Sequence, residues 1–177
     1  MTSQISAHPA AAASTFEIGR MQRALVTLVG VGLTSLVIFA LIRAAAGYAA
    51  PYRGAIDLAV IVHVVSVMPA IPLGAWLLLS AKGTAQHKAL GKVWLVLMVA
   101  TALSAVFIRQ LGGGQFSLIH LFVPITLFSA WQAYATARAG NLVAHRKGLI
   151  RFYLLALTIP GLFAFSPGRL MWVWLLG

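Results

Sequence analysis

Residues 60–94 read VIVHVVSVMPAIPLGAWLLLSAKGTAQHKALGKVW, and residues 117–153 read SLIHLFVPITLFSAWQAYATARAGNLVAHRKGLIRFY. Each stretch has a histidine early in an apolar run and a tryptophan late in it. A basic residue, a glycine and a histidine with a basic neighbour then lead into the next apolar run. His63 and His87 stand 24 positions apart, His120 and His145 25. About 20 apolar residues are enough for a helix to cross a bilayer, so each stretch reads as a helical hairpin that enters the membrane and returns. Two such hairpins in tandem make a parallel repeat, related by an axis along the membrane normal.

Working outward, five apolar runs are long enough to consider as spans: 24–42, 56–80, 90–111, 116–135 and 149–165. The fold expected is all-α, an integral membrane protein of about five transmembrane helices. Its core, 56–165, is a four-helix up-down bundle built from hairpins 56–111 and 116–165, and helix 15–43 packs outside it as an anchor. Residues 1–14, small and polar, read as a flexible tail. Ser14 and Glu17 have capping-box spacing for a helix starting near Thr15. The lead before the first run is long for a signal peptide, so this helix is expected to be retained. Ser166, Pro167 and Gly168 end the last run and leave 169–177, RLMWVWLLG, as a tail along the interface with Trp172 and Trp174 at headgroup level.

Composition agrees. The chain of 177 residues is 61% hydrophobic and 8% charged, with a mean hydropathy of +0.95. A soluble surface carries roughly 25–35% charged residues. The absence of cysteine excludes disulfides and thiolate metal sites. Only two acids, Glu17 and Asp57, are present, too few for most acid–base or divalent-metal chemistry. The net charge of +11 is dispersed between apolar runs, which marks membrane flanks and argues against nucleic-acid binding. Arg20, Arg23, Lys82, Lys88, Lys92, Arg138, Arg146, Lys147 and Arg151 fall on one side of the predicted topology. Arg43, Arg53, Arg109 and Arg169 fall on the other. The positive-inside bias then puts the N-terminus in the cytoplasm and the C-terminus outside, in a plasma membrane. Trp76, Trp94, Trp131, Tyr134 and Tyr153 read as an aromatic belt at the inner interface.

With so few acids, histidine is the main versatile side chain. The repeat places His63 and His120 at one depth and His87 and His145 at another. Equivalent helices are diagonal in an up-down bundle, so each pair can face across the axis. Paired imidazoles at one depth are an axial ligand set for haem b. The candidate cofactor-binding residues are therefore His63, His120, His87 and His145, with quinone or a redox protein as partner besides the bilayer. Arg53 and Arg109 on one side, and Lys92 and Arg151 on the other, are candidate partners for haem carboxylates. Ala59, Ser66, Ala70 and Gly74 share the His63 face, a small-residue stripe that admits a helix or a flat ligand. Pro69 and Pro72 are expected to bend that helix.

Plainer readings remain open. His87 and His145 stand in cationic juxtamembrane turns, where histidine serves as a headgroup contact or a helix-start residue. His63 and His120 need a partner within apolar runs, which a serine or a backbone carbonyl could supply without any cofactor. On that reading the protein is a cofactor-free accessory, a sensor or a small-solute transport protein. Asp57 reads as an N-terminal helix charge paired with Arg53 or Arg109, and Arg109 can also snorkel to the surface.

The arrangement resembles the two-haem transmembrane cytochromes in topology only. The stretches SAKGTAQHKALGKVWLVLM, FSLIHLF, ATARAGNLVAHRKGLI and GLFAFSPGRLMW resemble a widespread family of predicted bacterial membrane proteins of unknown function, over about residues 58–177. The resemblance picks out His87, Gly91, His120, His145, Pro167, Gly168 and Arg169 as recurring positions. Trp172 stands where many members of that family carry a histidine. The resemblance implies the fold and a bacterial setting, and no activity.

Overall fold

The computed structural model describes residues 19–52, 56–109 and 114–177. Its helices are α1 (Arg20–Ala45), α2 (Leu58–Leu79), α3 (Ala85–Ala105), α4 (Phe122–Arg138), α5 (Leu142–Arg151), α6 (Thr158–Phe163) and α7 (Leu170–Leu176). A 3₁₀ turn, Leu118–Leu121, leads into α4, and a π-helical segment, Phe152–Leu157, joins α5 to α6. Among the described residues there is no strand. Among the described residues four helices are long and apolar enough to cross a membrane: α1, α2, α3 and the 3₁₀ turn together with α4. The fifth column, α5 to α6, is interrupted by its π segment, and α5 itself carries Arg146, Lys147 and Arg151.

Local chemistry sets the helix starts. Asp57 caps α2 by accepting a hydrogen bond from the Val60 amide at 2.9 Å. Thr84 caps α3 through the His87 amide (3.0 Å), and Asn141 caps α5 through the Ala144 amide (3.0 Å). Gly83 and Gly140, at φ +79° and +69°, make the turns just ahead of those last two caps. The same glycine and cap precede both juxtamembrane histidines, so the repeat seen in sequence extends to the loops. Arg53 and the proposed Ser14–Glu17 box lie outside the described residues. Arg109 is engaged away from Asp57: it donates to Val106 O (3.0 Å) and its guanidinium sits 4.3 Å from the Phe116 ring centroid.

Helices α2, α3, α4 and the α5–α6 column close into an up-down ring in which α2 is diagonal to α4 and α3 to α5. Helix α1 lies against the outside of α2 and α7. It buries Val26, Gly30, Leu33, Val37 and Ala40, a stripe at three- and four-residue spacing. A Cβ on Gly30 would come within 2.6 Å of Ala75 Cβ, so the glycine is what permits the α1–α2 approach. Helix α7 folds back on α1, where Arg43 donates to Trp174 O (3.3 Å) and Gly177 O (3.1 Å). The tail is thus docked on the first helix.

At mid-height the bundle is filled by Trp94, Met98, Phe152 and Tyr153, each 3% exposed or less. Trp94 and Phe152 meet edge to face at 5.0 Å. Trp94 Nε1 donates to Ala70 O (2.9 Å) and Tyr153 Oη to Ile71 O (3.0 Å), carbonyls that lie between and beside Pro69 and Pro72. The sequence reading needs correction here. Trp76, Trp131 and Tyr134 are exposed, but Trp94 and Tyr153 point inward and form the core. The small-residue stripe on α2 is correspondingly taken by neighbouring side chains: a Cβ on Gly74 would sit 2.6 Å from Trp94 Nε1 and 2.8 Å from the Tyr153 ring.

Candidate functional site

The aromatic layer divides the bundle into two cavities with no lining residue in common. One, about 300 Å³, lies at the end where Lys82, Lys88, Lys92, Arg138, Arg146 and Lys147 gather, called here the basic end. The other, about 220 Å³, lies toward the opposite end. His87 and His145 line the first, and His63 and His120 line the second. Each pair singled out in the sequence therefore shares one chamber.

At the basic end, His145 Nδ1 is 2.9 Å from Ala133 O. A carbonyl only accepts, so Nδ1 carries the hydrogen and Nε2 keeps its lone pair. His87 Nδ1 is buried without a hydrogen-bond partner, and nothing there commits its hydrogen to that nitrogen. Gly74 and Gly91 contribute bare backbone to the lining, and a Cβ on Gly91 would meet nothing within 4 Å. Lys88, Lys92 and Arg138 supply positive charge, and Trp94 and Leu95 supply apolar wall. Of the carboxylate partners expected at this end Lys92 lines the chamber and Arg151 does not, while Lys88 and Arg138 went unnamed.

Toward the opposite end, His63 Nδ1 lies 3.0 Å from Thr101 O, with Ser104 Oγ at 3.3 Å. It too carries its hydrogen on Nδ1 and offers a lone pair at Nε2. The serine and the carbonyl anticipated as plain partners are thus both present. His120 is arranged differently. The Ser117 amide donates to its Nδ1 at 3.0 Å, closing a capping box on the 3₁₀ turn. Ser117 O also stands 3.2 Å from Nδ1, but the shorter amide contact needs that nitrogen bare, which assigns the hydrogen of His120 to Nε2, buried and unpartnered. Thr101 Oγ1, buried in the same lining, also lacks a partner.

Arg169 completes this lining, 4.4 Å from the Phe163 ring centroid, and Tyr52 stands nearby. Burial draws the Arg169 pKa below its ordinary value and Tyr52 opposes the shift. Arg109, expected as the cation here, is not part of the lining. Among the described residues no group of three or more His, Cys, Asp or Glu could hold a metal ion.

Comparison with curated proteins and with solved structures finds no match. A family model described as "Predicted membrane protein (DUF2306)" matches residues 60–167. That span takes in His63, His87, His120 and His145 and the aromatic layer, and leaves out α1, Arg169 and α7. Covering more than half of a chain that carries several apolar membrane-length helices, the match establishes that this protein belongs to the DUF2306 family of membrane proteins.

Proposed function

We propose that the protein is a haem b-binding electron carrier of the bacterial inner membrane, with its N-terminus in the cytoplasm. The observation that carries this reading is the basic-end chamber, where diagonal helices α3 and α5 bring His87 and His145 to one cavity. The donor set fits the group. The Nδ1–H of His145, anchored on Ala133 O, holds that ring in the tautomer an iron ligand would need, and the unpartnered Nδ1 of His87 leaves its ring free to present a lone pair. Gly91 leaves room for a flat face, and Lys88, Lys92 and Arg138 offer cations to carboxylates. When bound, haem supplies a one-electron couple. His87 and His145 would orient it, Lys88, Lys92 and Arg138 would neutralise its acids, and Trp94 and Leu95 would keep water from one side.

The second pair fits less well. His63 presents a lone pair, but the Ser117 amide keeps a hydrogen on His120 Nε2, where ligation would need the nitrogen bare. Two-haem occupancy would require that cap to break. The hydrogen bonds of the four histidines thus support one site more than two. The excess of Lys and Arg at the basic end supports a cytoplasmic placement of His87 and His145.

Oxidised and dithionite-reduced absorbance spectra of protein purified in detergent, from cells supplied with haem precursor, test this reading. A sharp reduced α-band is expected, lost in His87→Ala and in His145→Ala and retained in His63→Ala. A flat spectrum from folded protein overturns haem binding, and a band lost only in His63→Ala moves the site to the other chamber.

A further inference from the structure

The chamber opposite the basic end has a polar pattern of its own. Its wall is apolar, with Val64, Met68, Ile71 and Met98 prominent. The histidines at its edge are set in opposite senses, His63 with an accepting Nε2 and His120 with a donating Nε2–H. That buried N–H and the buried Thr101 hydroxyl have no protein partner. A buried polar group left unpaired is costly, so a ligand that accepts from these donors and also gives a hydrogen to His63 Nε2 gains from each contact. At about 220 Å³ the cavity lies below the roughly 300–1,000 Å³ usual for drug-sized ligands. It suits a single substituted ring.

From this geometry we propose that the chamber binds the ring of a lipid-soluble quinol or quinone. Oxygens at opposite edges of one apolar ring meet the two requirements together: a ring hydroxyl donates to His63 Nε2, and the far oxygen accepts from His120 Nε2–H. Both forms can accept from the Thr101 hydroxyl beside His63 and from the His120 donor, but only the reduced form has a hydroxyl to give to the His63 acceptor. The site therefore prefers quinol over quinone. A fatty acid is the competing occupant, because its carboxylate would seek Arg169, which shares the lining. It would leave the His63 acceptor unused. This inference concerns a different chamber from the proposed haem site and stands without it.

The test is equilibrium binding of tritiated decylubiquinol and decylubiquinone to the full chain in lipid nanodiscs, with decylbenzene and oleate as alternative ligands. Saturable quinol binding is expected, about tenfold tighter than quinone, as one hydrogen bond of about 1.4 kcal/mol would give. His63→Phe should remove that preference. His120→Phe should weaken both forms tenfold or more, and His120→Gln, which keeps an N–H donor, should recover part of the loss. Thr101→Val serves where the histidine variants fail to fold, since Thr101 Oγ1 makes no bond that valine would lose; by removing the hydroxyl donor beside His63 it should weaken both forms at least threefold. Equal binding of decylbenzene, indifference to all four variants, or preferential binding of oleate abolished by Arg169→Gln would overturn the proposal. Spectra of the same samples report the haem reading separately.

Discussion

The two chambers are built from one repeat and yet are chemically unequal. At the basic end, the histidine of each hairpin follows a helix cap and stands in the first turn of a regular α-helix. At the other end, His63 lies inside α2, but its counterpart His120 lies in a 3₁₀ turn, where its side chain accepts from the amide of the cap residue Ser117. The same residue at the same repeat position is thereby given an opposite hydrogen-bonding sense. A sequence repeat fixes position along the bundle, while the local turn decides which nitrogen carries the hydrogen.

The largest effect that tests this division falls on the layer between the chambers. Gly74→Ala drives a Cβ against Trp94 and Tyr153, whose rings are pinned by hydrogen bonds to Ala70 O and Ile71 O. A loss of about 1–3 kcal/mol is expected, seen as a lower melting temperature in detergent. An unchanged melting curve would mean that the layer is soft and the chambers can merge. Tyr153→Phe strips one buried hydrogen bond and leaves Ile71 O to its helix, for about 1 kcal/mol in the same assay. Asp57→Ala removes the α2 cap and should cost a similar or smaller amount, about 0.5–1 kcal/mol, with neither chamber's binding altered.

Gly91→Ala should change stability least. Its Cβ meets nothing, and alanine in a helix is favoured over glycine by roughly 0.5–1 kcal/mol. A melting temperature unchanged or slightly raised, together with a weaker α-band, would separate the basic-end chamber's ligand role from its structural one. An undiminished band would show that the space beside Gly91 is not used.

Much of this could be read in the chain because membrane helices announce themselves by length and apolarity, and because caps and glycines are local signals. The hairpins, the up-down ring, the outlying first helix and the sharing of one chamber by each histidine pair all follow from spacing. What could not be read depends on neighbours far apart in sequence. Trp94 and Tyr153 carry the aromatic signature of an interface, and only the carbonyls of Ala70 and Ile71, more than 20 and 80 positions away, turn them inward. Arg169 replaces Arg109 as the cation of its chamber, while Arg109 is engaged by Val106 O and the Phe116 ring. The π segment has a local cause visible in hindsight: Pro160 has no amide hydrogen to give to Ala156 O, and Thr158 Oγ1 donates to Tyr153 O at 3.0 Å.

The mid-height layer also has an electrical consequence. Trp94 and Tyr153 each commit their one donor to a carbonyl of α2, so neither ring swings aside without giving up a hydrogen bond. In a bilayer, a field of 100 mV acts on an ion with about 2.3 kcal/mol across its full fall, and such a fall concentrates where water is excluded. The layer therefore stands as an insulating partition: packed side chains with their donors committed leave ions and protons, which need an open path, no continuous route between the chambers.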